Sequence, residues 1–133
     1  MTNPFGKVIY SYSRQQAIED GVLVDISDQP ETKEAGFRVP VCLTIGVFTL
    51  VEVPLGPDGE PISGQDFKGR LWDLLNMALF YFRAFTGDKH LVPFKVIFQT
   101  GAYKTGRPIQ ETFTLWLCFN EAEGFTIMKP EEY

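Results

Sequence analysis

The sequence predicts an α+β fold. A small antiparallel sheet, made of a C-terminal meander of about three strands plus an N-terminal strand, packs on one long central helix with short N-terminal helices. Three observations predict it. Apolar residues recur with helical period between Phe67 and Phe85, they alternate with period two between Phe94 and Met128, and helix start and stop signals repeat before Pro40. At 133 residues the size is that of one domain over 1–133. Such a chain buries roughly two-thirds of its unfolded surface. An apolar share of 44%, with twelve Phe, five Tyr and two Trp, excludes a disordered chain.

Lys7 to Tyr12 (KVIYSY) is rich in β-formers and reads as a strand. Ser13-Arg14-Gln15-Gln16 fits a capping box, in which the Ser hydroxyl takes the Gln16 amide and Gln16 reaches back. Gly21 stands where a left-handed helix cap belongs, and Val22 to Ile26 is extended. Asp28-Gln29-Pro30-Glu31 repeats the cap signal with Asp28 as N-cap, and Gly36 ends that helix. Phe37 to Val53 reads two ways: Pro40 opens a helix, yet Val, Ile, Thr and Phe dominate and Gly46 weakens one. The expectation is a helix from Pro40 that passes into a strand over Phe48 to Val53. Leu55 to Gly64 is a turn-rich loop around Pro57-Asp58-Gly59.

Phe67, Leu71, Leu74, Leu75, Ala78, Phe82 and Phe85 form one helical stripe, which Gly87 ends. Trp72, Leu79, Phe80 and Tyr81 widen it almost to the full circumference. A helix apolar all round is either central or covered by a second chain, so a structural homodimer enters as one reading. Phe94 to Gln99, Thr112 to Asn120 and Phe125 to Met128 are the meander strands. Thr100 to Pro108 is the long connection between the first two, with Tyr103, Lys104 and Arg107 at its tip.

The formal charge is −5, from 12 basic and 17 acidic residues. Glu19, Asp20, Asp25, Asp28, Glu31 and Glu34 face only Lys33 in their segment, which therefore carries −5 by itself. A patch of one sign either solvates a face or steers a basic protein partner. Direct nucleic-acid binding is disfavoured, because that affinity comes from Lys and Arg on phosphates. No charged-then-apolar leader opens the chain and no apolar run reaches the roughly 18–20 residues of a membrane span, so a soluble cytoplasmic protein is expected. In that compartment Cys42 and Cys118 are read as buried thiols.

No pattern names a reaction. His90 is the single histidine, without a second His or a cysteine cluster, so no metal and no cofactor are expected. The acids after Glu19 offer a carboxylate pair, but adjacent side chains on a helix diverge. Tyr103, followed by Lys104 and Arg107, is a second binding candidate, an aromatic close to two cations. Arg14, Asp20, Asp25 and Arg38 are the ligand or nucleotide-site alternative, because folding chemistry leaves Arg14 and Asp25 unexplained.

Several short motifs resemble an uncharacterised family of small proteins encoded on bacterial plasmids, integrative elements and phages. They are Tyr12-Ser13-Arg14, Asp20 to Asp25 (DGVLVD), Ala35 to Arg38 (AGFR), Gly69 to Asp73 (GRLWD) and Thr126 to Glu132 (TIMKPEE). Where similar members show Thr-Arg-Ala-Val-Trp, this chain has Thr44-Ile45-Gly46-Val47-Phe48. The resemblance implies a mobile-element setting, at a size and acidity common among counter-defence inhibitors. Together these readings give, as the leading expectation, a non-enzymatic protein–protein interaction module acting through its acidic face.

Overall fold

A computed structural model describes residues 13–133. The strand expected over Lys7 to Tyr12 lies outside the described residues. In chain order the elements are α1 (Arg14–Glu19), β1 (Leu23–Asp25), α2 (Pro30–Ala35), β2 (Val41–Thr44), α3 (Ile45–Val51), α4 (Phe67–Ala84), β3 (Leu91–Lys104), β4 (Arg107–Asn120) and β5 (Gly124–Met128). A 3₁₀ turn over Pro130–Glu132 follows.

The fold is α+β, but its sheet is five-stranded and mixed, in the order β1-β2-β5-β4-β3. The antiparallel meander over β3, β4 and β5 is present. The correction lies at β5, which also pairs in parallel with β2, Val41 opposite Phe125 and Leu43 opposite Ile127. That contact makes β2 and β5 interior strands and stitches the two halves of the sequence into one sheet.

The 37–53 segment runs in the opposite order to the expectation: strand first, helix second. All four residues of β2 are buried, because the strand is covered on both faces. A strand of that kind shows an unbroken apolar run with no alternation. Thr44 then caps α3, its hydroxyl accepting from the Val47 amide at 3.3 Å, so Pro40 precedes a strand instead of opening a helix.

Local capping chemistry accounts for the other helices. Ser13 accepts from the Gln16 amide at 3.1 Å, and Gly36 caps α2 at φ 112°. The N-cap of α2 is Gln29, without a side-chain bond, so Asp28 is not the cap it resembles. Asp66 accepts from the Gly69 amide at 2.7 Å and starts α4. That helix stops at Ala84 with Phe85 as its C-cap, short of Gly87. Its buried side chains include Leu71, Leu74, Leu75, Ala78 and Leu79. They meet Val41, Leu43, Phe94, Val96, Leu115, Leu117, Phe125 and Ile127 from one sheet face in the main core. Cys42 points the other way, with Leu23 and Ala17, so α1 covers the opposite face at the β1–β2 end.

Thr100 to Pro108 is not an open loop. β3 and β4 continue as a paired ribbon, Tyr103 opposite Pro108 and Lys104 opposite Arg107, after a register shift between Gln99 and Tyr103. Thr105 and Gly106, at φ 50° and 75°, make the two-residue turn whose positive φ values match the strand twist.

Candidate functional site

The six acids of the acidic segment do not share one environment. Glu19 ends α1 and Asp20 is its C-cap, both exposed. Asp28 and Glu34 are also exposed. Asp25 ends β1 with its carboxylate bound into the backbone: Oδ1 accepts from the Ser27 amide at 2.9 Å and the Ser27 hydroxyl at 2.6 Å. The same hydroxyl accepts from the Val41 amide at 2.9 Å. Asp25 therefore helps to seat the loop before α2 against β2. Glu31 departs from the exposed row, since it is buried at 8% and its Oε1 has no hydrogen-bond partner among the described residues. Among the described residues no basic side chain lies within ion-pair distance of Glu19, Asp20, Asp28 or Glu34, whereas Asp88 meets the His90 ring at 2.6 Å.

Tyr103, Lys104 and Arg107 are exposed on the β3–β4 ribbon. The acidic segment adjoins β1 and the ribbon extends β3, so the two candidate surfaces occupy opposite edges of the sheet.

Arg14, Asp20, Asp25 and Arg38 do not converge on one cleft. Arg14 turns onto β5, donating to the Thr126 hydroxyl at 2.9 Å and to the Phe125 carbonyl. Arg38 is exposed, and neither it nor Asp20 nor Asp25 borders the neighbouring cavity. That cavity, of about 600 Å³, lies on the α1 face of the sheet, and its lining includes Arg14, Leu23, Cys118, Thr126, Met128 and Tyr133. His90, Glu121 and Glu123 also border it.

Burial pushes the Cys42 thiol up to about 11 from 9.0, against the pull of the Arg14 guanidinium and with a smaller push from Asp25. Burial alone pushes Cys118 up to about 12. Both thiols are protonated near neutral pH and thus poor nucleophiles. The sign for stability follows. The unfolded thiols ionise first, so the stability present below pH 9 declines as pH rises through the folded values. We expect melting temperature to fall between pH 9 and about 11. A variant with both cysteines replaced by Ala should show a shallower fall, read by thermal melts across that range. Among the described residues no three His, Cys, Asp or Glu side chains are grouped as a metal site. No helix among them is long and apolar enough to cross a membrane.

Sequence reasoning missed two anchoring side chains. Arg70 in α4 is buried at 5%. It donates to the Leu50 carbonyl at 2.7 Å, the Gln99 carbonyl at 3.2 Å and Gln65 Oε1 at 3.1 Å, and its guanidinium lies 4.3 Å from the centre of the Phe98 ring. The signal was in the sequence, for Arg70 stands one turn before Leu74 on the apolar stripe. Glu132 is the second. Its Oε1 accepts from the Thr44 hydroxyl at 2.7 Å and from the Lys129 amide at 2.8 Å, seating the chain end on α3. A Cβ at Gly46 would stand 2.5 Å from Glu132 Oε2, so a side chain there would push the carboxylate from this seat.

These contacts give the short motifs a physical meaning. Arg14 of the first binds Thr126 of the last, Arg70 of the fourth ties three segments together, and Glu132 of the last fastens the C-terminus. Comparison with curated proteins and with solved structures gives no match. A family model does match, over residues 1–133, and the chain belongs to that family of unknown function, DUF6573.

Proposed function

We propose that the protein is a non-enzymatic interaction module that presents the acidic α1–β1–α2 edge to a basic protein partner. The observation that supports this is the set of exposed carboxylates of Glu19, Asp20, Asp28 and Glu34, none of them neutralised by an ion pair among the described residues. Uncompensated charge of one sign accelerates and selects association with a partner of the other sign. In the mobile-element setting that the motifs imply, the partner is a basic, nucleic-acid-handling protein of a host defence complex, and the protein acts as its inhibitor.

The test is the Glu19→Lys, Asp20→Lys, Glu34→Lys variant, which keeps the buried Glu31 and the backbone-bound Asp25. Melting temperature should stay near that of the wild type, because exposed substitutions cost within about 0.5 kcal/mol. Immobilised wild type should retain a basic protein that salt elutes. The variant should associate with it about tenfold more slowly at low salt and show a flatter salt dependence. Equal association rates would remove the acidic edge from the function and move attention to Tyr103, Lys104 and Arg107.

The cavity beside Arg14 supports a second reading, binding of a small ligand, since about 600 Å³ falls within the usual range of ligand sites. It uses Arg14 and Thr126 without Asp20, Asp25 or Arg38. A thermal-shift screen against nucleotides and divalent metals tests it. A reproducible rise in the wild type that Arg14→Met abolishes would favour this reading.

A further inference from the structure

The cavity on the α1 face is bordered by opposite charges that do not pair with each other. Arg14 is held there by the Thr126 hydroxyl and the Phe125 carbonyl, which leaves N–H donors over. No carboxylate among the described residues lies within ion-pair distance of its guanidinium. Thr126, only 8% exposed, accepts from Arg14 and keeps its own hydroxyl proton to donate. His90, the other basic group on the lining, is already engaged by Asp88 at 2.6 Å.

Glu121 and Glu123 border the same cavity from the turn between β4 and β5. Asn120 fixes that turn, accepting from the Ala122 amide at 2.8 Å through Oδ1 and from the Glu123 amide at 3.1 Å through its carbonyl. Both carboxylates are exposed, and no basic side chain among the described residues pairs with either. Glu123 stands three residues before Thr126, roughly 10 Å along an extended backbone. The lining also includes the buried apolar side chains of Ala17, Leu23 and Met128. Leu23 and Met128 rise from the same face of the sheet as Thr126, since Leu23 lies opposite Thr44 and Cys42 opposite Thr126.

Building on the small-ligand reading of this cavity, we propose that its ligand is a free α-amino acid with an apolar side chain. The ligand carboxylate takes the remaining Arg14 donors and the Thr126 hydroxyl proton, a charge-assisted arrangement. Its ammonium meets Glu121 and Glu123, and its side chain lies against Leu23, Ala17 and Met128. Ligands of one charge fit less well. A phosphate would bring like charge to Glu121 and Glu123, and an amine without a carboxylate would face Arg14. A purely apolar ligand would cover the Arg14 charge without pairing it. At about 600 Å³ the cavity is ample for the larger members of this class.

Titration calorimetry with L-leucine, L-methionine and L-phenylalanine tests the proposal, with a thermal melt of every variant alongside. At least one should bind the wild type, and its deaminated and decarboxylated analogues should each bind about tenfold more weakly or worse. The Glu121→Gln, Glu123→Gln variant, altered only at exposed positions, should lose the preference for the amino acid over its deaminated analogue. Arg14→Met should lose the preference over the decarboxylated one, and the Gln pair decides the matter if Arg14→Met melts low. A role in folding alone would weaken all three ligands alike. Absence of binding by all three amino acids would overturn the proposal, and so would a preference that the Gln pair leaves unchanged. A nucleotide or metal that stabilises the protein through Arg14 while the amino acids do not bind would overturn the ligand class and keep the small-ligand reading. Absence of any stabilising probe would remove both. The acidic edge carries none of these residues, so its function stands or falls separately.

Discussion

Gly124→Ala should lower stability by about 3 kcal/mol or more, which in a chain of this length shifts the melting temperature down by about 10 °C. Two costs coincide at this position. Gly124 sits at φ 98°, a conformation that an L side chain adopts only under strain. An added Cβ would also stand 2.3 Å from the Pro40 carbonyl oxygen. That oxygen cannot withdraw, because it accepts the Phe125 amide at 2.8 Å, the bond that begins the β2–β5 pairing. The clash therefore falls on the join between the two halves of the sheet. Gly21→Ala is the control. Gly21 has φ 75° but nothing within 4 Å of an added Cβ, so only the conformational cost of about 1–2 kcal/mol applies. Equal losses at the two sites would show that the approach of Gly124 to Pro40 contributes nothing.

Arg70→Met should be comparably damaging, at about 3 kcal/mol. The substitution keeps an unbranched side chain in the core but strands the Leu50 and Gln99 carbonyls, which Arg70 satisfies from within α4. A buried acceptor left without its donor costs about 1–3 kcal/mol. Burial already pulls the Arg70 pKa down, with Asp73 opposing, so its charge is held in place at a cost that the hydrogen bonds offset. Arg70→Lys should recover only part of the loss, because an ammonium cannot span three acceptors as a planar fork does. Chemical denaturation of the two variants beside the wild type gives both values. A Met variant within about 0.5 kcal/mol of wild type would show that water serves these carbonyls equally well.

What could be read from the sequence was what depends on near neighbours. Ser13, Gly36 and the α4 stripe announced their elements, because caps and helical period act within one or two turns. The alternation of Phe94, Val96 and Phe98 announced β3 for the same reason. The order of strand and helix over residues 37–53 could not be read this way. What makes Val41–Thr44 a strand is its place between β1 and β5, and β5 lies more than eighty positions along the chain. Pro40 offered a plausible local start, and Thr44 offered a better one that the apolar run obscured.

The candidate site divides along the same line. The exposure of Glu19, Asp20, Asp28 and Glu34 follows from a charge-rich segment with few apolar neighbours. The burial of Glu31 follows from how α2 packs on α4, which no spacing shows. The contact of Arg14 with Thr126 joins residues 112 apart and is invisible to any local pattern. Phe80 and Trp72 did leave a sequence signal, an apolar excess on a helix that one sheet could not cover.

The acidic edge is tested most directly by phage plating on a strain that carries an active DNA-targeting defence system, with the protein supplied from a plasmid. The account predicts that the wild type raises plating efficiency and that the Glu19→Lys, Asp20→Lys, Glu34→Lys variant, melting at the same temperature, does not. Plating by the folded variant equal to that of the wild type would contradict it.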